Sequence, residues 1–395
     1  MARRFMLSGK KILFAWELGE GLGHLPPLKA IAGALKPCGV RPVFVLRETK
    51  NAIRALMPVG GDLRTAPHWA KPGTSIERSG SMADILAGNG YSNSDHAAAI
   101  ISAWDKVIDE VKPDLLVVDH APSALLSAYG RIPTVIAGNG FAVPPADGDW
   151  FPPYLPGEDR TDRQRVVFEA IQSAFKTIGR NSPPSITAPF RGAFRGIYSF
   201  PQIDTYRAIR KERLLGPIEA PPACLALPAK RRLFVYSATD IAKIDALMQC
   251  IMAIGPEASV YLRGGLGTRG AILRSRGVEV FDTPPPLADV LPAASVVFSH
   301  GGSGFTNAAL ASGRPHLVFP RHFEARSTAM GLADAGCGIR LEDLEVNSFR
   351  EAYVRASEDE TMREAAQREG IRAQHFVTQA RALEVTVEAV RSLIG

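Results

Sequence analysis

The sequence predicts an α/β protein built of two Rossmann-like domains. Three observations predict it. Near-continuous apolar runs of strand length alternate with helix-length patterns. The same alternation starts afresh beyond a Pro-rich stretch from Phe200 to Lys230. Finally, 395 residues with 46% apolar content exceed what a single hydrophobic core usually holds. Uninterrupted apolar strands separated by helices imply parallel sheets covered on both faces.

In chain order, Lys11 to Trp16 is predicted as a strand, His24 to Lys36 as a helix, Pro42 to Leu46 as a strand and Ala97 to Val111 as a helix. Lys112-Pro113 then leads into an apolar strand, Asp114 to Asp119, followed by a short helix, Ser123 to Tyr129, and a strand, Pro133 to Ala137. The second half repeats the style with strands at Leu233 to Tyr236, Ser259 to Leu262, Val278 to Phe281, Ser295 to Phe298 and His316 to Phe319. Thr361 to Leu393 reads as helices. The expected domains are 1–215 and 230–377. Two stretches, Ala66 to Gly90 and Gly138 to Asp159, read as irregular and are rich in Gly, Pro and aromatic residues. Loops of that length usually carry function, and both leave carboxyl ends of predicted strands, where open α/β sheets bind ligands. His68, Trp69, Met82, Phe141, Trp150, Phe151 and Tyr154 are therefore candidates for a pocket that takes a small molecule.

A formal charge of +6 favours anionic partners, yet the basic runs are short, as at Lys230-Arg231-Arg232. Nucleotide diphosphates fit that balance better than nucleic acids. Arg3-Arg4 followed by Phe5-Met6-Leu7 suggests a signal peptide, but Ser8 to Lys11 cuts the apolar run short, and no stretch is long enough to span a bilayer. A soluble cytoplasmic protein is expected. Cys38, Cys224, Cys250 and Cys337 lack paired-ligand spacing and read as reduced, packed thiols.

The most informative segment is Ser299 to Asn307, SHGGSGFTN, between an apolar strand and an Ala/Leu-rich helical pattern. Such a turn presents backbone N–H groups at the positive end of a helix dipole, and glycines at 301, 302 and 304 let a phosphate approach them. His300, Ser303 and Thr306 add side-chain donors. About twenty residues on, Pro320 to Glu324 brings a carboxylate to the end of the next strand, where a sugar hydroxyl can be held. The N-terminal turn Gly19-Glu20-Gly21-Leu22-Gly23-His24 approaches a dinucleotide fingerprint but has His24 where the third glycine belongs. Asp147-Gly148-Asp149 raises the idea of a metal-bound diphosphate, but it lies in a Pro/Gly-rich loop away from the nucleotide-type turn.

His300-Gly301-Gly302, Ala309-Leu310, Gly313-Arg314-Pro315, Pro320 with Glu324, and Gly336-Cys337-Gly338 together resemble the donor signature of the family 1 glycosyltransferases. Gly23-His24, then Pro26-Pro27 and Leu28 to Leu35, resemble the start of their first helix. The resemblance implies a GT-B fold, two Rossmann-like domains facing across a cleft, with a last helix at about 378–395 returning to the N-terminal domain. It implies an inverting, metal-independent transfer of a sugar from a UDP- or dTDP-sugar to a hydroxyl of a small, fairly apolar acceptor, without a cofactor. His24 is then the general base, suited by an imidazole's titration near neutrality, and Asp119 orients it; His120 ranks lower. His300, Gly301, Gly302, Ser303, Gly304, Phe305 and Thr306 are expected to hold the diphosphate, joined by Ser237 and Thr239 after the first strand of the second domain. Phe323 and Glu324 are assigned to the sugar, Thr283, Pro285 and Leu287 to the nucleobase, and Gly23 with the aromatic loops to the acceptor. The family's ribose-binding acid falls on Ala308, which permits a deoxyribose; its glutamine falls on Ala325, with Thr328 where asparagine is usual, which argues against assuming glucose as the sugar. A GT-B nucleotide-sugar epimerase and a non-catalytic homologue that binds a partner are the alternatives.

Overall fold

The computed structural model describes residues 7–19, 22–67, 80–154, 161–241 and 243–395. They form two compact units: Met1–Tyr198, Ala208–Glu219 and Arg381–Gly395 make the first, and Ser199–Arg207 with Ala220–Ala380 the second.

The first unit holds β1 (Lys11–Trp16), β2 (Arg41–Leu46), β3 (Asp62–Thr65), β4 (Leu115–Asp119), β5 (Thr134–Gly138) and β6 (Phe194–Ile197), in the order β3-β2-β1-β4-β5-β6. Every pairing is parallel, with Trp16 opposite both Leu46 and Asp119. β1 and β4 bury nearly every side chain because helices cover both faces, which is why both read as unbroken apolar runs. Their start is tied down by Asp114, which accepts from Lys11 N at 2.8 Å and from Lys10 Nζ at 3.0 Å. The helix Leu25–Leu35 begins with Pro26 and Pro27 in its first turn, where a missing N–H costs nothing. The C-terminal helix Ala382–Ile394 belongs to this unit: Ala382, Val387, Val390 and Ile394 join a core with Ile12, Phe14 and Leu35.

The second unit holds β7 (Leu233–Ala238), β8 (Ala258–Arg263), β9 (Glu279–Val280), β10 (Val296–Ser299), β11 (His316–Val318) and β12 (Gly338–Arg340), ordered β12-β11-β10-β7-β8-β9 and again parallel. In each sheet the strand order reverses once, between β1 and β4 and between β7 and β10. Open α/β sheets bind ligands at the carboxyl ends of such switch points.

Three strands lie outside the sequence expectation, β3, β6 and β12, and all are sheet edges. β3 is almost wholly exposed, so it carries no apolar run to read. The fourth edge, β9, is two residues long where Val278 to Phe281 was expected. The stretch Ala66 to Gly90 is not irregular throughout. Met82–Leu86 is helical, because Asp84 accepts from Gly80 N and Ser81 N at 2.8 and 3.0 Å and so satisfies amides at the helix start. His68 and Trp69 lie outside the described residues.

Candidate functional site

In the first unit, His24 stands at the N-cap of the helix that follows β1, and Asp119 ends β4. The switch point therefore brings together two residues 95 positions apart: His24 Nδ1 donates to Asp119 Oδ1 at 3.0 Å. Side-chain exposures are 17% for His24 and 3% for Asp119. Burial raises the Asp119 pKa, and the charge and hydrogen bond of His24 pull it back. With Nδ1–H on the carboxylate, the lone pair is on Nε2. That nitrogen lies beside Gly19, where a Cβ would approach it to 2.4 Å, and Gly19 has a φ of +91°. Glycine is required there twice over, by backbone conformation and by space. Gly138, ending β5, gives similar room: a Cβ would stand 2.8 Å from Asp119 Oδ1.

The imidazole packs against two rings. Trp16 stacks on it at 5.6 Å, and His120 lies tilted to it at 5.5 Å. His120 takes the left-handed conformation at φ +49°, and its buried Nε2 has no hydrogen-bond partner. Burial pushes its pKa down to about 3, so it stays neutral. The pairing with His24 thus falls to Asp119, and His120 supplies packing.

One further buried group was not singled out in the sequence reading. Glu17, one residue past β1, is buried, and it accepts from Ser123 N at 2.9 Å and from the Ser123 hydroxyl, which also meets the Tyr91 hydroxyl. Burial pushes Glu17 up to about 7. The carboxyl joins the end of β1 to the start of the helix Pro122–Ala128, which follows the strand that ends at Asp119.

The aromatic loop candidates pack within the first unit. Phe141 and Tyr154 are buried and stack at 5.5 Å, with Phe141 edge-on to His120 at 5.9 Å. Phe151 is buried against Phe190, and Met82 is 1% exposed. Trp150 is half-buried, edge-on to Phe168, and Gly23 is exposed. Phe141 and Tyr154 therefore adjoin the His24 pair through His120, whereas Met82 and Phe151 serve the interior.

In the second unit, His300 to Gly302 link β10 to the helix Ser303–Ala311, whose N-cap is Gly302. The helical ladder opens with Thr306 N donating to Gly302 O at 3.0 Å, so the amides just before it stand ahead of the ladder. One amide of the turn is already used: Gly301 N donates to Ser299 Oγ at 3.0 Å, and that oxygen meets His316 Nε2 at 2.8 Å. Gly301 N is therefore committed to holding the bend. Gly301 has a φ of +85°, and a Cβ there would come within 2.9 Å of the Ala325 Cβ. The bend requires glycine and rests on Ala325 at the start of the helix Phe323–Asp334.

His300 lies over Gly302, with Nε2 3.1 Å from a Cβ placed there, and its Nδ1 is 3.5 Å from Ser237 Oγ. Its pKa is pushed down to about 4 by burial, then by Arg321, His322 and Arg263. It is a neutral donor at physiological pH. Ser237 is buried, and Thr239 donates its hydroxyl to Arg263 O at 3.2 Å, tying β7 to β8. Phe305 points into the core, stacked on Tyr236 at 4.6 Å, so only its backbone belongs to the turn. Thr306 is buried and its hydroxyl has no partner. Ser303 and Gly304 occupy the first helical turn, Gly304 exposed. Glu324 and Phe323, both half-buried, open the helix that follows β11. Thr283 is exposed after β9, with Pro285 and Leu287 half-buried beside it. All of these lie at or just after carboxyl ends of the second sheet. Sequence reading passed over Ser299 and His316 because they lie within apolar strands, and Arg263 because nothing in its spacing ties it to the turn.

Residues 277–388 match the erythromycin biosynthesis protein CIII-like C-terminal domain. Over 260 residues the chain is 45% identical to the elloramycin glycosyltransferase ElmGT of Streptomyces olivaceus, a match that spans 62% of this chain and 61% of that relative's length. The solved calicheamicin glycosyltransferase CalG4 superposes with a TM-score of 0.72 at 20% identity, covering 98% of each chain. The glycosyltransferase SsfS6 of Streptomyces sp. SF2575, complexed with thymidine diphosphate, superposes with a TM-score of 0.62 at 18% identity, covering 95% of this chain and 99% of that one. The fold of two parallel-sheet α/β domains is thus GT-B.

Proposed function

We propose, from the premise that this chain belongs to the bacterial natural-product glycosyltransferases of family 1, that it moves a sugar from a dTDP- or UDP-sugar to a hydroxyl of a small, fairly apolar acceptor, with inversion and without a metal. The observation that carries the reading is the His24–Asp119 pair at 3.0 Å, in which a buried carboxylate fixes the orientation of an imidazole suited to act as a base. In the proposed step, His24 Nε2 takes the acceptor's hydroxyl proton as its oxygen bonds to the anomeric carbon. The bond from that carbon to the diphosphate oxygen breaks, and the nucleoside diphosphate leaves with the electron pair. Asp119 stabilises the imidazolium that forms. The amides of the turn beyond Gly301, with neutral His300, meet the charge that develops on the diphosphate. A single displacement inverts the anomeric centre.

Two features favour a thymidine nucleotide. Ala308 offers no acceptor to a ribose hydroxyl, and the relative SsfS6 was solved with thymidine diphosphate. Glu324, at the start of the helix after β11, is assigned to the sugar hydroxyls. Natural-product relatives and the aromatic packing from His24 to Tyr154 support a small, partly apolar acceptor.

A thermal-shift screen of dTDP- and UDP-sugars, followed by product masses with candidate aglycones, tests the reading. A donor present at about 100 times its Kd raises apparent stability by about 2.7 kcal/mol. No shift with either nucleotide series, together with no mass gain on any acceptor, would refute it.

A further inference from the structure

At the carboxyl ends of the adjacent strands β11, β10, β7 and β8 in the second sheet, three of the four, β11, β7 and β8, carry charged side chains that the donor-site reading does not use. Arg321 follows β11 and Arg263 ends β8, so the two guanidinium groups flank the ends of β10 and β7, where the His300 turn and Ser237 lie. Between them stands Asp240, just past β7. Its Oδ1 accepts from Arg321 Nη1 at 3.0 Å, its backbone oxygen accepts from Arg321 Nη2 at 3.2 Å, and its Oδ2 lies 3.8 Å from Arg263 Nη2. A single carboxylate therefore holds two arginines at the rim of the phosphate-type turn. Both guanidinium groups are near enough to His300 for their charges to help lower its pKa, while Asp240 acts in the opposite direction.

We propose that Arg263 and Arg321 are a guanidinium clamp for the diphosphate of the donor, and that Asp240 is an internal stand-in for it, displaced when the nucleotide binds. This rests on the donor reading given above. The charges favour the exchange: two cations share the one carboxylate of Asp240, and a diphosphate brings more charge and more acceptor oxygens, pairs of which a guanidinium fork can engage. Asp240 is 54% exposed, so its ion pairs are weak in water and easily exchanged.

The clamp is tested by titrating the full chain with thymidine, dTMP and dTDP, and with the uridine series, for the wild type, Arg321→Gln, Arg263→Gln and Asp240→Asn. Melting temperatures serve as the folding control, with Arg321→Lys as a second probe at that position. Either glutamine variant should weaken dTDP binding about tenfold or more, leave thymidine binding unchanged and shrink the preference for dTDP over dTMP. Asp240→Asn should tighten dTDP binding severalfold at low salt, with no change for thymidine. Arginine variants that bind dTDP as well as the wild type, or an Asp240→Asn protein that binds it more weakly, overturn the clamp while leaving the donor reading in place. A wild type that binds neither dTDP nor UDP overturns the donor reading itself, and the clamp with it.

Discussion

Replacing Asp119 with Asn isolates the charge behind the proposed base while keeping the side-chain shape. His24 Nδ1 and Asp119 Oδ1 are 3.0 Å apart, and Asp119 is buried. With charge centres about 4 Å apart and an effective dielectric near 20, the attraction between imidazolium and carboxylate is about 4 kcal/mol. That stabilisation is absent while His24 is neutral and present once it holds the acceptor's proton, so it lowers the barrier rather than the ground state. Its removal should cost about a thousandfold in kcat, less whatever the neutral amide recovers as a hydrogen-bond acceptor. Donor binding should be unchanged, because Asp119 and the His300 turn belong to different units. The assay is kcat at saturating donor and acceptor, with dTDP affinity from a separate titration. An Asp119→Asn protein that turns over within about threefold of the wild type would refute the role of the pair. A loss confined to dTDP affinity would refute the division of labour.

Further outcomes follow from other contacts. Gly138→Ala places a Cβ 2.8 Å from Asp119 Oδ1, so transfer should fall by more than tenfold while dTDP titration stays normal; an unchanged kcat contradicts the crowding argument. Gly301→Ala forces a left-handed alanine against Ala325 and should cost at least about 1–2 kcal/mol, read as a lowered melting temperature of the second unit with weakened dTDP binding. Glu17 has its pKa raised from 4.5 to about 7 by burial, so its contribution is present below about 4.5 and is lost as pH rises through 7, by about 3 kcal/mol in all. Glu17→Gln should therefore gain stability relative to the wild type between pH 5.5 and pH 8 in urea melts. An equal difference at both pH values would count against the burial argument. Ser299→Ala removes the oxygen that holds Gly301 N and meets His316, and should weaken dTDP binding severalfold in a titration; wild-type affinity would show that the turn holds its shape without it.

The central strands were legible in the sequence because tertiary structure covers them on both faces: β1, β4, β7 and β10 must be apolar at nearly every position, and they read that way. The glycine turn was legible for a related reason, since Gly301 needs both a positive φ and a missing Cβ, and glycine alone lacks that atom. The edge strands β3, β6 and β12 were not legible, because an edge is stabilised by its one neighbour and leaves its residues free to be polar.

Contacts between distant residues depended on the fold alone. Nothing in the spacing of Glu17 and Ser123, or of Asp240, Arg263 and Arg321, marks them as neighbours; the reversals of strand order at β1/β4 and β7/β10 bring their loops to shared edges. Sequence thus determined which segments become buried strands and where the backbone must bend, because hydrophobic burial and steric exclusion act residue by residue. Tertiary structure decided which charges meet, because Coulomb attraction and hydrogen bonding depend on distances that only the folded sheets set.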